Sequence, residues 1–311
     1  MNVLNLLPLD DAQRAVLMAG APAATFVHAS RADVTDDQIA RADVIVGNLA
    51  PTRLAAATNL KLLQLNSAGY DKYSGPGILP AGAQLASAVG AYGQAVSEHM
   101  FTMLLCLMKR LHTYRDDQRA HEWTDRGQVT TLAGARVLVL GCGDIGGHFA
   151  RLCRAMGAEV HGVRRNLGAA PEGFTAVHAM DELDALLPEQ DVVASFLPSS
   201  PSTKGLADAA FFEKMRAGAF FVNGGRGDLV IQEDIIAALE SGHLAGAALD
   251  VTTPEPLPAD HPLWDAPGAF VTPHVSGQFH LPVVLDNIAA IAAENITHLA
   301  AGEPVRNAVA L

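Results

Sequence analysis

Short apolar runs alternate with amphipathic patterns along residues 1–90. Continuous apolar runs are typical of parallel strands that are buried on both faces, and they predict strands at 3–7, 25–27, 44–46 and 62–65. Residues with helical spacing lie between them and predict helices near 11–18, 36–41 and 53–57. Strands that alternate with helices predict an α/β fold with a doubly wound parallel sheet.

Residues 134–165 combine a strand, a glycine-rich turn, a helix and a second strand. An apolar run at 137–140 leads into the turn Gly141-Cys142-Gly143-Asp144-Ile145-Gly146. Strand, turn and helix in this order are the context in which such a turn binds a dinucleotide. Gly141 permits the tight turn, Gly143 lets the backbone approach a pyrophosphate, and Gly146 lets the helix pack on the strand. The phosphates would lie at the helix N-terminus, beside Asp144 and Ile145.

The position after the second strand of this unit indicates which dinucleotide is bound. An acid there would bind the ribose hydroxyls of NAD(H) and repel a 2′-phosphate, but this chain has Arg164 and Arg165. Guanidinium groups suit a phosphate ester, so NADP(H) is the predicted cofactor, with NAD(H) possible. The alternative is that one arginine stacks on adenine, or that both are only solvated.

The α/β pattern continues after residue 165. It predicts helices at 180–187, 211–215 and 232–241, and strands at 191–194, 219–222, 247–249 and 270–272. The loop from Leu197 and Pro198 to Thr203 follows one of these strands, which places it near the cofactor. One long helix is predicted from Met100 to about Arg119, crossing between domains, and residues 281–300 predict a helix that returns to the first domain.

Composition narrows the class of protein. A chain of 311 residues suggests two domains, and a net charge of −12 argues against a nucleic-acid or anionic membrane partner. The three cysteines, at 106, 142 and 153, suggest a reducing compartment, and Cys142 is either a reactive thiol or a small filler in the glycine turn. Without a basic leader or an apolar run of roughly 18 residues, we expect a cytoplasmic protein, and no metal site is predicted.

Three chemically active side chains each follow a predicted strand. Arg226, Glu255 and His274 lie where ligands bind parallel sheets, with glycines or prolines beside them. Each alone has an ordinary explanation, as a solvated charge, a surface turn or a structural histidine. Beside a nicotinamide the three could act together. The forked guanidinium of Arg226 would bind a carboxylate or carbonyl, His274 would donate a proton, and Glu255 would orient His274.

Two turns after strands of the first ninety residues are candidate substrate loops. One contains Asn48 and Leu49, and the other contains Ser67, Ala68 and Gly69. Consecutive backbone N–H groups in the second turn would form an anion nest for a carboxylate. The alternative is an ordinary turn from strand to loop.

Several segments in combination resemble the D-isomer-specific 2-hydroxyacid dehydrogenases. Ser67-Ala68-Gly69-Tyr70-Asp71 resembles the family's substrate-carboxylate loop, and Val96-Ser97-Glu98-His99 resembles the start of its interdomain helix. The order and spacing of Arg, Glu and His also match, and the resemblance covers the whole chain. The segments that carry these three residues are Val222-Asn223-Gly224-Gly225-Arg226-Gly227, Leu249-Asp250-Val251 with Glu255-Pro256, and Thr272-Pro273-His274-Val275-Ser276-Gly277.

The resemblance implies a flavodoxin-like substrate domain at 1–96 and 282–311, with a Rossmann cofactor domain inserted at 97–281. It implies reversible reduction of a small anionic 2-oxo acid to a D-2-hydroxy acid. Arg226 would hold the carbonyl and carboxylate, His274 would protonate the nascent alkoxide, and Glu255 would pair with His274.

Further roles follow from the same resemblance. Asp250 would contact the nicotinamide carboxamide, Gly224 and Gly225 would line the cofactor site, and the N–H groups of Ala68 and Gly69 would bind the substrate carboxylate. A homodimer through the cofactor domain is implied. The chain departs from the family at Arg164-Arg165, which replace the acid of NAD-using members, and at Phe196, where a polar residue is frequent. Because the family includes co-repressors that bind NAD(H), a non-catalytic dinucleotide-binding protein is the alternative.

Overall fold

The computed structural model describes residues 1–310, which fold into two compact units. One unit comprises Met1–Tyr92 and Gln278–Leu311, and the other comprises Gly93–Gly277. The first unit is therefore built from both ends of the chain. Each unit contains one sheet whose strands are all parallel, and this confirms the predicted α/β fold class.

The elements have the following bounds. The strands are β1 (Asn2–Asn5), β2 (Thr25–His28), β3 (Val44–Val46), β4 (Leu62–Gln64), β5 (Gln84–Ala86), β6 (Arg136–Leu140), β7 (Glu159–Val163), β8 (Ala176–His178), β9 (Val192–Ser195), β10 (Ala219–Asn223), β11 (Leu244–Leu249) and β12 (Ala269–Val271). The α-helices are α1 (Asp11–Ala19), α2 (Asp36–Arg41), α3 (Gly93–Met108), α4 (Leu111–Ala120), α5 (Asp144–Ala155), α6 (Leu183–Leu186), α7 (Ala209–Lys214), α8 (Gln232–Glu240) and α9 (Pro282–Ala301).

The first unit is built on a five-stranded sheet in the order β2-β1-β3-β4-β5. Its core contains the apolar side chains of β3 and β4, which are fully buried, as the continuous apolar runs predict. Helix α1 begins with a capping box, in which Asp10 and Gln13 each accept a hydrogen bond from the other's backbone N–H. It packs against α9, and Gly20 permits the close approach because a Cβ there would clash with the carbonyl oxygen of Ala293.

The second unit is built on a seven-stranded sheet in the order β12-β11-β10-β9-β6-β7-β8. The order reverses between β6 and β9, so the carboxyl ends of these two strands flank a topological switch point, where open α/β sheets bind their ligands. Strands β9 and β10 are buried along their whole length. Three phenylalanines, Phe211, Phe212 and Phe221, pack edge to face beside them and fill the core.

The single long helix predicted from Met100 to Arg119 is wrong, because two helices occupy this stretch. Helix α3 ends at Met108, and α4 begins at Leu111 after Arg110, whose φ of 55° is left-handed. A residue in that conformation cannot continue a right-handed helix. The two helices also differ in burial: α3 is largely buried, whereas Asp117 is the one buried residue of α4.

Other differences from the predicted elements concern short segments. The helix predicted at 53–57 is a 3-10 helix, Pro51–Ala56, and the helix predicted at 180–187 is a short α6 between two 3-10 turns. Strands β5 and β8 were not predicted. Each is only three residues long and lies at the edge of its sheet, where an apolar run is too short to stand out. Within residues 1–310, no helix is long and apolar enough to cross a membrane.

Candidate active site

The carboxyl edge of the seven-stranded sheet carries the predicted site residues in a continuous order. His274 follows β12, Asp250 and Glu255 follow β11, and Arg226 follows β10, and these strands are neighbours in the sheet. The next strands are β9, β6 and β7, which lead into the loop at Leu197, the glycine turn and the arginine pair. One part of the edge therefore carries the predicted acid–base groups, and the adjoining part carries the groups predicted to bind a dinucleotide.

The glycine turn after β6 has the geometry that a pyrophosphate requires. Gly141 has a φ of 96°, a conformation that side chains rarely adopt, and its N–H donates to the carbonyl of Val163 at 2.9 Å. A Cβ at Gly146 would clash with the carbonyl oxygen of Gly141, whereas a Cβ at Gly143 would meet nothing within 4 Å. The turn is thus closely packed at Gly146 and open at Gly143. This shape fits a dinucleotide bound at the N-terminus of α5.

The first turn of α5 contains the two other residues assigned to the cofactor. Asp144 turns its carboxylate along the helix toward His148, whose Nδ1 lies 3.5 Å from Oδ1. Ile145 is half-buried. The Asp144 carboxylate is thus paired within the helix. We therefore expect Asp144 to contact a phosphate through its backbone N–H.

The two arginines after β7 have different environments. Arg164 folds into its own loop, where Nη2 donates to the carbonyl of Ala169 at 2.9 Å, while its buried Nε has no hydrogen-bond partner within residues 1–310. Arg165 is exposed and forms no ion pair with the residues that the structure describes. An exposed guanidinium beside an unsatisfied buried N–H group fits an anion such as the 2′-phosphate of NADP(H).

Cys142 is a filler of the glycine turn. Its Sγ is so close to the backbone of β7 that a Cβ at Gly162 would clash with it. Burial raises the pKa of the Cys142 thiol to about 11, although the charge of Arg164 acts in the opposite direction. A thiol with this pKa is protonated at neutral pH, which favours the filler over the reactive cysteine.

The loop after β9 lies against both neighbouring loops. Thr203 holds it closed, because its hydroxyl donates to the carbonyl of Pro198 at 2.7 Å. A Cβ at Gly141 would lie 3.2 Å from the Phe196 backbone, and a Cβ at Gly225 would lie 2.6 Å from the Leu197 carbonyl oxygen. The glycines therefore let the glycine turn and the Arg226 loop approach this loop from both sides.

Asn223 shapes the loop that carries Arg226. It is fully buried, and its side chain accepts a hydrogen bond from the Gly225 N–H at 3.1 Å and donates to the Arg226 carbonyl at 2.9 Å. Gly227 passes so close to the Thr252 carbonyl oxygen that a Cβ would clash with it. With its backbone held in this way, the half-buried Arg226 directs Nη1 to the Gly225 carbonyl at 2.8 Å.

Glu255 and His274 form the pair that the sequence predicts. His274 Nδ1 lies 2.8 Å from Glu255 Oε2, and Glu255 Oε1 accepts a hydrogen bond from the Thr252 N–H at 3.2 Å. The side chains of His274 and Glu255 are 49% and 38% exposed, so the pair is accessible to a small molecule. A carboxylate that binds one ring nitrogen orients an imidazole for proton exchange through the other.

Asp250 holds the turn after β12. Its carboxylate is 1% exposed and accepts hydrogen bonds from the Thr272 hydroxyl at 2.6 Å, from the backbone N–H groups of Val275 and Ser276, and from the Ser276 hydroxyl. These bonds occupy the roughly four lone-pair sites of a carboxylate. The predicted contact between Asp250 and the nicotinamide carboxamide stays a prediction and would require one of these bonds to be shared.

In the first unit, two asparagines clasp the start of the candidate substrate loop. The Asn48 N–H donates to Asn66 Oδ1 at 2.8 Å, and the Asn66 N–H donates to Asn48 Oδ1 at 3.0 Å. Asn48 Nδ2 also donates to the Ser67 hydroxyl, which in turn donates to the Gly69 carbonyl. Among the residues that the structure describes, the N–H groups of Ala68 and Gly69 have no protein acceptor, as an anion nest requires.

Arg31 and Tyr92 belong to this clasp and were not predicted. Arg31 Nη2 donates to Asn66 Oδ1 at 2.9 Å, and the Tyr92 hydroxyl donates to the Asn66 carbonyl. Because Arg31 follows β2 as Arg226 follows β10, the rule that ligands bind at carboxyl ends of strands could have found it. The Leu49 side chain, predicted near substrate, is only 2% exposed and lies in the core of this unit. Within residues 1–310, no cluster of side chains could hold a metal ion.

Comparison with known sequences places the chain in a family. The model for the NAD binding domain of D-isomer specific 2-hydroxyacid dehydrogenases matches residues 101–276. The glyoxylate reductase/hydroxypyruvate reductase of Homo sapiens is 30% identical over 260 residues, which cover 81% of this chain and 77% of the human protein.

Solved structures give the same result over nearly the whole chain. A D-isomer specific 2-hydroxyacid dehydrogenase family protein from Aeromonas salmonicida has a TM-score of 0.88 at 32% identity, covering 99% of this chain and 98% of that one. The NADPH-dependent glyoxylate/hydroxypyruvate reductase from Sinorhizobium meliloti, in complex with NADP and sulfate, has a TM-score of 0.82 at 28% identity, with the same coverage. The chain belongs to the D-isomer specific 2-hydroxyacid dehydrogenase family and is an NAD(P)-dependent oxidoreductase.

Proposed function

We propose that the chain is an NADP(H)-preferring reductase of small 2-oxo acids, with His274 as the acid–base group, Glu255 as its partner and Arg226 as the substrate-binding cation. The observation that carries the proposal is the 2.8 Å hydrogen bond between His274 and Glu255, which follow β12 and β11 at the sheet edge where Arg226 follows β10. The family implies a small 2-oxo or 2-hydroxy acid as the substrate class.

Each residue has one task in the reductive direction. The guanidinium of Arg226 binds the carbonyl and carboxylate oxygens of the substrate through paired N–H donors. When bound, the reduced nicotinamide supplies a hydride to C2. His274 gives the Nε2 proton to the carbonyl oxygen as negative charge develops there, and Glu255 orients the ring and stabilises its protonated form. In the oxidative direction, neutral His274 accepts the hydroxyl proton.

The backbone N–H groups of Ala68 and Gly69 are proposed to bind the substrate carboxylate. Their support is the clasp between Asn48 and Asn66, which fixes the start of this loop, and the lack of protein acceptors for both N–H groups within the described residues. Such a loop binds an anion without side-chain charge. Ser67 contributes by closing the loop onto the Gly69 carbonyl at 2.6 Å.

The preference for NADP(H) is supported by the exposed Arg165 and the unsatisfied Nε of Arg164 after β7. The Sinorhizobium meliloti relative is named as an NADPH-dependent reductase and contains NADP. A guanidinium pair binds the 2′-phosphate of NADP(H) through charge-assisted hydrogen bonds. It binds the uncharged ribose hydroxyl of NAD(H) more weakly. The binding groups assigned to the remainder of the cofactor are the glycine turn, the Leu197–Thr203 loop, and Gly224 with Gly225.

A panel of 2-oxo acids tests the proposal. Glyoxylate, hydroxypyruvate, pyruvate and phenylpyruvate are each assayed with NADPH and with NADH, and we expect turnover that is faster with NADPH. His274→Ala should remove most of the rate with NADPH binding retained, as measured by calorimetry. Dinucleotide binding without turnover of any 2-oxo acid would instead favour the alternative of a non-catalytic, co-repressor-like protein.

The homodimer implied by the resemblance is also a proposal. Trp123 of the second unit is fully exposed and lies in a segment without helix or strand, and tryptophan is a residue type enriched at protein interfaces. Sedimentation of the full chain should give twice the monomer mass, and a monomer at all concentrations would contradict the dimer.

A further inference from the structure

A cavity of about 490 Å³ lies in the first unit, at the carboxyl ends of β1 and β2. Its polar lining comes from Arg14 of α1 and from His28, Ser30 and Arg31 at the end of β2, and Leu7 and Phe279 contribute to its apolar wall. Carboxyl ends of parallel strands are where open α/β sheets bind ligands. The function proposed above assigns nothing to this cavity.

The cavity is cationic in an acidic protein. The chain has 33 acidic and 21 basic residues, yet among the described residues two arginines and a histidine line the cavity and no acid does. Two acids contact lining residues: Asp11 Oδ1 lies 3.6 Å from Arg14 Nη1, and Asp33 accepts a hydrogen bond from the Ser30 hydroxyl. Although the protein as a whole is negatively charged, the local positive charge of the cavity attracts a small anion.

The cations of the cavity retain unused donors. Arg14 Nε is buried without a hydrogen-bond partner within residues 1–310. For the Arg31 guanidinium, the acceptor found among the described residues is Asn66 Oδ1, which takes one N–H of Nη2 and leaves the others. Burial lowers the pKa of His28, and the charge of Arg14 lowers it further. An unsatisfied buried donor is costly, and a bound anion would satisfy it.

Arg31 connects the cavity to the proposed substrate loop. It lines the cavity and also donates to Asn66, the residue that precedes Ser67 and the N–H groups of Ala68 and Gly69. A substrate whose carboxylate is held by that loop would therefore have Arg31 beside it. A second anionic group on the same substrate would be within the field of Arg31 and Arg14.

We propose that this cavity is a specificity subsite that binds a second anionic group, a carboxylate or a phosphate, at the far end of a 2-oxo acid substrate. The proposal rests on the proposed function for the position of the 2-oxo acid end. Arg14 and Arg31 donate hydrogen bonds to the distal anion, and His28 joins them when protonated. The subsite selects dianionic over monoanionic 2-oxo acids.

Substrate pairs of equal carbon number test the selectivity. We compare kcat/KM for 2-oxoglutarate with 2-oxovalerate, and for 3-phosphohydroxypyruvate with hydroxypyruvate, using the full chain and NADPH. The dianion should be favoured by about tenfold or more, the size of one charge-assisted hydrogen bond. The pair with the larger ratio identifies carboxylate or phosphate as the distal group. Ratios of one or below in both pairs would overturn the proposal.

Variants assign the preference to the cavity. Arg14→Gln and Arg31→Gln should each lower the ratio of dianion to monoanion kcat/KM by about tenfold. Within the described residues, Arg14 forms no hydrogen bond or ion pair with Asn48 or Asn66, so its variant separates the subsite from the integrity of the loop. Arg41→Gln is the matched control, because Arg41 is an exposed arginine of the same unit that pairs with Asp37 at 2.8 Å. A ratio unchanged in Arg14→Gln would count against the subsite.

A binding measurement separates this proposal from the proposed function. Glutarate is titrated into the full chain while the ring signals of His28 are followed by NMR, with valerate as the monoanionic control. A saturable change with glutarate, absent in Arg14→Gln, would support the subsite even if no 2-oxo acid is turned over. No saturable change, or the same change with valerate, would overturn it even if the panel shows a reductase.

Discussion

The carboxylate of Asp250 holds the turn from which His274 extends. The residues that follow His274 both donate backbone N–H bonds to it, Val275 at 3.0 Å and Ser276 at 3.1 Å, and the His274 N–H donates to the Asp250 carbonyl at 2.8 Å. His274 itself has a φ of 51°, a left-handed conformation that persists only where its surroundings enforce it. Asp250 is therefore a positioning residue for His274, the proposed acid–base group.

Asp250→Asn should impair catalysis more than substrate binding. The amide can replace one acceptor oxygen but presents an N–H group to Ser276, so hydrogen bonds of the turn are lost at about 1–3 kcal/mol each. We expect kcat to fall by about tenfold or more while KM changes little. Asp286→Asn, which affects a bond to Gln13 in the other unit, is the control. A kcat equal to wild type with a lowered melting temperature would show a purely structural role for Asp250.

The pairing of Glu255 with His274 predicts a loss of rate in Glu255→Gln. The variant retains the shape of the side chain but removes the carboxylate that lies 2.8 Å from His274 Nδ1, so the ring is oriented less well for proton exchange. We expect kcat for reduction to fall by about tenfold or more, the value of one charge-assisted hydrogen bond. Glu182→Gln is the control, since Glu182 pairs with His178 at 3.3 Å near β8. A wild-type kcat in Glu255→Gln would mean that Glu255 does not position His274.

The arginine pair predicts how cofactor preference is lost. Arg165→Ala should raise the KM for NADPH by about tenfold or more, the value of a charge-assisted hydrogen bond, and leave that for NADH nearly unchanged. Arg164→Asp should lower the preference further by repelling the 2′-phosphate. Arg216→Ala, which removes an arginine paired with Asp191 at 2.6 Å, should change neither. Kinetics that favour NADH in the wild type would contradict the assignment.

The cysteines should be inert in the native state. Burial raises the pKa of Cys142 to about 11 and that of Cys153 to about 12, so both remain thiols at pH 8 and react slowly with alkylating reagents. Unfolding in denaturant restores ordinary values and should expose them to rapid labelling. Mass spectrometry after brief treatment with iodoacetamide measures this difference. Rapid native labelling at Cys142 would contradict its role as a filler.

Tyr92→Phe should loosen the substrate loop. The change removes the hydrogen bond to the Asn66 carbonyl and is expected to cost about 1 kcal/mol of the free energy of unfolding, with a raised KM. Burial raises the pKa of Tyr92 to about 12, above the value near 10 of an exposed tyrosine. The folded state requires the neutral phenol of Tyr92. The contribution of this phenol to the free energy of unfolding is therefore full below about pH 10 and is lost as pH rises through about 12.

Denaturant unfolding at pH 8 and pH 11 measures both effects of this change. Tyr70→Phe is the matched control, because Tyr70 is an exposed tyrosine in the same loop region. The gap in stability between wild type and Tyr92→Phe should narrow at the higher pH. A gap that widens at pH 11 would contradict the assignment of the buried, neutral phenol.

The local elements and a candidate set of site residues could be predicted from the amino-acid sequence. Strand β3 and helix α2 match their predicted bounds, because a continuous apolar run and a capped helical pattern are set by neighbouring residues. The glycine turn was readable for the same reason, since its strand, turn and helix are consecutive in the chain. Arg226, Glu255 and His274 could be grouped because each directly follows a strand of one parallel sheet.

Which side chains bind one another could not be predicted, because it depends on the order of the strands in each sheet. Asn48 and Asn66 lie 18 residues apart, and Asp250 and Ser276 lie 26 apart, so no periodicity connects them. Their hydrogen bonds exist because the sheets place β3 beside β4 and β11 beside β12. The cationic cavity depends likewise on β1 and β2 being neighbours. Periodicity reports whether a residue is buried, whereas the order of strands in a sheet decides against which residue it is buried.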